Sequence, residues 1–162
     1  MKQLLIVRHA ESSWISKGSK DFDRPLNSQG KTDAKMMGAE LINKSFSPDY
    51  IISSGANRTH TTSKIISKEI DYSINNIEIN DDIYHSSVET VLDIIKNISD
   101  KHNAAMLVGH NPTLHYLSQI LSNVIVNQFP TCTMFCILFK INSWFEVENG
   151  EKVFMIYPEM FK

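Results

Sequence analysis

Short unbroken apolar runs and longer stretches of helical spacing alternate along this chain. Leu4-Leu5-Ile6-Val7 has no polar position to turn towards solvent, so it predicts a strand over Lys2 to Val7 that is buried on both faces. A polar loop from His9 to Asn27 follows, holding Gly18 and an Arg24-Pro25-Leu26 turn. Loops of that length inside compact domains are commonly functional. Ala34, Met37 and Leu41 then recur at helical spacing and predict a helix from Ser28 to about Lys44, closed off by Pro48.

The same alternation continues to the end of the chain. Tyr50-Ile51-Ile52-Ser53 reads as a strand, and the Ser54-Gly55-Ala56-Asn57 turn delivers Arg58 onto the first part of a helix whose apolar side is Ile65, Ile66 and Ile70. Ile77 to Ile79 is a brief strand. Ser86 and Glu89 have capping-box spacing ahead of an amphipathic helix carrying Val88, Val91, Leu92, Ile95 and Ile98. Ala104 to Val108 is a further buried strand. Asn111 then fits an N-cap and Pro112 the first helical position, with Leu114, Leu117 and Leu121 behind them. Thr131 to Phe139 and Lys152 to Tyr157 read as closing strands, with Asn149-Gly150 as a turn between them. Strands alternating with helices predict α/β architecture with a mainly parallel sheet and an antiparallel edge. The Met36-Met37 pair and the aromatics Trp144, Phe145, Phe154 and Tyr157 are read as core or edge packing.

Composition narrows the class. At 162 residues, the expected organisation is one domain over 1–162. The 42% apolar and 21% charged content is that of a globular protein, and a net charge of −2 gives no footprint for nucleic acid or an anionic membrane. Cys132 and Cys136 are too few for a disulfide framework and read as buried thiols of a reducing compartment. The first apolar run is too short for a signal-peptide core, so the cytoplasm is the expected location.

Candidate chemistry sits where apolar runs end. The chain has only three arginines, Arg8, Arg24 and Arg58, against thirteen lysines, so ordinary surface charge falls to lysine. The retained guanidinium groups then point to a geometry lysine lacks, namely planar, bidentate binding of a phosphoryl group. His9 and His110 each follow a predicted strand. In open α/β sheets ligands collect beyond the carboxyl ends of the strands, so the two can face one pocket. A neutral imidazole there can attack phosphorus, and Arg8 beside His9 keeps that imidazole unprotonated. His110, especially if protonated, would donate to a phosphoryl oxygen. Arg24 is as well explained by a salt bridge with Asp21 or Asp23 as by phosphate contact. His60, His85, His102 and His115 read as surface or helix-packing residues with no metal-ligand spacing, so neither metal nor cofactor is expected.

Arg8-His9-Ala10-Glu11 resembles the RHG-type signature of the histidine phosphatase (phosphoglycerate mutase-like) superfamily, with Ala10 where glycine is usual. The segment from Ser53 to Thr62 is similar to that superfamily's second phosphate-binding segment, and Val108-Gly109-His110-Asn111-Pro112 to its second-histidine segment in the form common among SixA-type phosphohistidine phosphatases. The segments around Asp23-Arg24-Pro25 and Tyr84-His85-Ser86 also look SixA-like. The resemblance implies a single-domain three-layer α/β/α sandwich. It also implies His9 as nucleophile, Arg8 and Arg58 as phosphate ligands and His110 as the second pocket histidine. Many members place an acidic residue after the third strand. Here the candidates are Asp81, Asp82 and Glu89, with Glu89 assigned to the helix cap, and Glu11 as a further acid. No clear donor emerges, which agrees with a phosphoramidate substrate whose imidazole leaves comparatively easily. The expected partner is a phosphohistidine protein. A small phosphate ester, or phosphate binding without turnover, are the alternatives.

Overall fold

The computed structural model describes residues 1–14 and 18–162, so three positions of the predicted loop, residues 15–17, lie outside the described residues. Its strands are β1 (Lys2–Arg8), β2 (Tyr50–Ser53), β3 (Glu78–Ile79), β4 (Ala104–Gly109), β5 (Met134–Phe139) and β6 (Glu151–Ile156). They form one sheet in the order β3-β2-β4-β1-β5-β6. The helices are α1 (Ser28–Asn43), α2 (Asn57–Glu69), α3 (Val88–Lys96) and α4 (Thr113–Ser122).

The apolar runs are continuous because each strand feeds two cores. In β1, Leu4 and Ile6 join a cluster with Val91 and Ile95 of α3 and Leu114 and Leu117 of α4. Leu5 and Val7 face the other way, onto Ala34, Met37 and Leu41 of α1 and Ile66 of α2. In β4, Leu107 and Val108 divide in the same manner. With α1 and α2 on one face and α3 and α4 on the other, the chain is a three-layer α/β/α sandwich.

The antiparallel strand is not at the edge as predicted. β5 pairs antiparallel with β1 and with β6, so β6, the edge strand, runs in the direction of β1. A single reversed strand inside the sheet lets the chain turn back through a connection holding the short 3-10 turn Trp144–Glu146. Trp144 of that turn is fully buried, whereas Phe145 is 74% exposed and packs no core, contrary to its predicted role.

Two caps also differ. Ser87, not Ser86, caps α3 by accepting the Thr90 N–H at 3.2 Å, while Ser86 donates its hydroxyl to the Ile83 carbonyl. Glu89 is thereby left exposed, outside any capping box. At α4, Pro112 is the cap position itself, and Asn111 instead donates its side-chain amide to the Phe129 carbonyl at 2.9 Å.

Candidate active site

Arg8 closes β1, Gly109 closes β4, and the two are register partners. The next residues, His9 and His110, therefore leave the sheet side by side. The His9 N–H donates to the Gly109 carbonyl at 3.1 Å and the His9 carbonyl accepts from the Cys132 N–H at 3.0 Å, which fixes the backbone from both flanking strands. The two imidazole centroids lie 5.5 Å apart. Ala10 is buried at negative φ, the condition for alanine to replace glycine, and its N–H donates to the Thr62 hydroxyl of α2.

A hydrogen bond to a backbone carbonyl assigns the His9 tautomer. His9 Nδ1 is 2.7 Å from the Ala10 carbonyl oxygen, which can only accept, so Nδ1 carries the proton and Nε2 keeps its lone pair. Burial drives the His9 pKa down to about 4, and the charges of Arg58, Arg8 and Arg24 act in the same direction against the raising effect of the Ala10 bond. His110 Nε2 is 3.0 Å from the Ser54 hydroxyl, which itself accepts the Ala56 N–H. When Ser54 gives its one proton to Nε2, the proton of neutral His110 sits on Nδ1, a buried nitrogen without a partner among the described residues. Burial, then the charges of His9, Arg58 and His85, lowers the His110 pKa to about 3, against an opposing pull from Asp21. Near neutral pH the His110 ring is therefore held uncharged.

Three guanidinium groups surround the pair. Arg58, from the first turn of α2 and only 6% exposed, donates Nη1 to the Asp21 carbonyl at 2.7 Å and Nη2 to the Asp21 carboxylate at 3.0 Å. Arg24 reaches the same carboxylate at 3.1 Å and the Ser12 hydroxyl at 3.0 Å. Arg8 donates Nη1 to the Phe129 carbonyl. The Nε atom of each arginine is buried and has no partner among the described residues. All three arginines, both histidines and Glu11 line one cavity of about 350 Å³. Arg24 thus forms the expected salt bridge with Asp21 and also lines the cavity.

Asp21 was expected only as a salt-bridge partner of Arg24, and that pairing forms, while Tyr84 was noted only within a SixA-like segment; their joint hold on the site was not foreseen. The Tyr84 hydroxyl donates to Asp21 at 2.6 Å, and its ring stands edge-on to His110 with centroids 5.4 Å apart. Burial works to raise the Asp21 pKa, but hydrogen bonds from Tyr84, Arg24 and Arg58 hold it below the usual carboxylate range. Asp21 three residues ahead of Arg24 was the available signal. Nothing in the sequence linked either residue to position 84.

The candidate acids scatter. Asp81 lies against the turn after β2, where any side chain in place of Gly55 would collide with its carboxylate. Asp82 lines a separate cavity with Tyr50 and Glu78. Glu89 is exposed on α3. Glu11 alone of the four reaches the arginine-lined cavity, with its carboxylate accepting from the Asn27 amide at 2.9 Å. Of the remaining histidines, His102 lies 3.5 Å from Asp49 and stacks on Tyr50, and His115 packs on Phe129. No group of three His, Cys, Asp or Glu side chains able to hold a metal ion occurs among the described residues. The cysteines are buried and unpaired, with burial pushing the Cys136 thiol up to about 12. No helix among the described residues is long and apolar enough to cross a membrane.

Comparisons with known proteins agree with this geometry. The family model for the histidine phosphatase superfamily (branch 1) matches residues 4–89. An uncharacterized chloroplastic protein of Arabidopsis thaliana is 28% identical over 153 residues, covering 90% of this chain and 70% of that one. Among solved structures, the protein histidine phosphatase SixA complexed with tungstate superposes with a TM-score of 0.85 at 18% identity, covering 99% of each chain. A SixA from Agrobacterium tumefaciens, itself a candidate phosphohistidine phosphatase, gives 0.82 at 24% identity over 97% of this chain and 98% of that one. At those identities the structural likeness is one of fold.

Proposed function

The chain belongs to the histidine phosphatase superfamily (branch 1), and on that premise we propose that it hydrolyses phosphohistidine on a protein through a phosphoryl intermediate on His9. The observation carrying this reading is the pairing of Arg8 with Gly109, which sets a neutral His9 with a free Nε2 beside His110 inside a ring of three guanidinium groups. Arg8, Arg58 and Arg24 neutralise the phosphoryl oxygens, and a catalyst for phosphoryl transfer needs little beyond charge and position. The Nε2 lone pair of His9 attacks phosphorus in line with the leaving group. His110 donates from Nδ1 to a phosphoryl oxygen as negative charge develops. Water then attacks the phosphohistidine, phosphate departs, and His9 recovers its lone pair. The clamp is built from cationic side chains, so turnover is expected to persist in a chelator.

The substrate class follows from the acids. An alkyl phosphate expels a poor alkoxide and benefits from a carboxylic acid at the leaving oxygen, but Asp81 and Asp82 lie off the cavity and Glu11 is held by Asn27. A P–N bond makes a smaller demand, because imidazole leaves as a neutral ring. The test is release of phosphate from a protein labelled on histidine, with rapid-quench trapping of acid-labile label on the enzyme. His9→Ala is expected to abolish both the label and the release. Faster turnover of a small phosphate monoester would reassign the substrate, and tight binding with neither label nor hydrolysis would leave only a phosphate-binding module.

A further inference from the structure

A second cavity of about 300 Å³ shares Arg58 and His110 with the first but has no wall from Arg8 or His9. Its distinctive lining residue is His85, on the loop after β3 where the superfamily resemblance led to the expectation of an acidic side chain. The leaving group of an in-line attack by His9 must depart on the face of phosphorus opposite that histidine. A cavity beyond Arg58 and His110 that excludes His9 answers to that requirement.

His85 is presented there with some structural effort. Its backbone sits at φ +52°, in the left-handed region, and its ring packs on Tyr84 with centroids 4.0 Å apart. The loop is pinned on its far side, where Ser86 donates to Ile83 and the Thr113 hydroxyl of α4 donates to the Ser86 carbonyl at 2.6 Å. Several polar groups around it are committed: the Tyr84 hydroxyl to Asp21, both Nη atoms of Arg58 to Asp21, and His110 Nε2 to Ser54. The His85 ring nitrogens, by contrast, meet no hydrogen-bond partner among the described residues. An exposed imidazole that is rigidly placed and chemically free is suited to proton transfer.

We propose that His85 is the acid, and then the base, of the reaction: it protonates the leaving group on phosphoryl transfer to His9 and accepts a proton from the water that releases phosphate. In the first step the His9 Nε2 lone pair forms the new P–N bond while the substrate P–N bond breaks and its electron pair stays on the departing ring. The imidazolium of His85 delivers its proton to the ring nitrogen remote from phosphorus, so a neutral imidazole leaves. In the second step water oxygen bonds to phosphorus, its proton passes to His85, and the P–N bond to His9 breaks. The proton that His85 gives up in the first step is returned to it in the second. The charged or titratable groups around it are Tyr84, Arg58 and His110.

This role rests on the phosphohistidine reading, and the experiment keeps the two apart. The first-turnover rate of phosphoryl transfer to His9, read by rapid quench so that the shared hydrolysis step does not enter, is compared for His85→Ala, His85→Gln and the unmodified protein on p-nitrophenyl phosphate, whose leaving group needs no proton, and on a phosphohistidine protein, at pH 8 and at pH 5.5. The expected result is a loss of about 100-fold on phosphohistidine at pH 8. Most of that loss should vanish at pH 5.5, where solvent protonates the leaving ring, while rates on p-nitrophenyl phosphate stay within about threefold throughout. Equal losses on both substrates at both pH values would show a structural role, and no loss on phosphohistidine at pH 8 would remove His85 from the chemistry. Absence of His9 labelling by either substrate in the unmodified protein would instead refute the function proposed above.

Discussion

The Tyr84 hydroxyl donates to Asp21, and Asp21 in turn holds Arg58 and Arg24, so one phenol supports two arginines. Tyr84→Phe removes that donor and keeps the ring against His110 and His85. Asp21 is partly exposed, so the expected stability loss is modest, about 1 kcal/mol by denaturant unfolding. The Asp21 carboxyl should titrate at higher pH in the variant, which side-chain NMR would read directly. The sequence made Arg8, Arg58, His9 and His110 visible because each ends an apolar run or begins a helix. It hid the link between Asp21 and Tyr84 because the two meet through a tertiary contact at a sequence separation of 63, which leaves no local pattern.

Most helices and strands were legible to within a residue or two where burial dictated the pattern, but β5 begins at Met134, three residues after the predicted Thr131, although Cys132 and Thr133 are buried. β2 lies at its predicted bounds because Ile51 and Ile52 face opposite cores, so no polar residue interrupts the run. Caps were not legible. Ser86, Ser87 and Asn111 are all competent cap residues, and the path of the preceding loop decides which one meets a free N–H. At α3 that is Ser87, so Ser87→Ala should cost about 1 kcal/mol in thermal or chemical unfolding, while Glu89→Gln should change stability by less than about 0.5 kcal/mol. The opposite order would restore a capping box at Ser86. The reversal of β5 was also unforeseeable in detail, because an apolar run reads alike in either direction.

At the scale of the molecule, two buried imidazoles make stability depend on pH. His9 and His110 titrate at about 4 and about 3 in the folded protein, against 6.5 for an unperturbed ring. Below pH 6.5 the unfolded chain takes up protons that the folded protein refuses, so stability falls as pH drops through 6.5 and keeps falling until the folded rings titrate. Unfolding midpoints measured from pH 7.5 to pH 4.5 should decline, and replacing both rings with asparagine should flatten that decline. Unchanged slopes in the double variant would place the acid sensitivity elsewhere. The same crowding of cations gives Asp21 a consequence for selectivity. Arg58 already has Nη1 engaged by the Asp21 backbone carbonyl and Nη2 by the Asp21 carboxylate, so a singly charged visitor offers it no more than it has. A dianion brings twice the charge and can outbid that resident. The entrance toll is set in units of charge, and ordinary monovalent anions of the surrounding solution fall short of it.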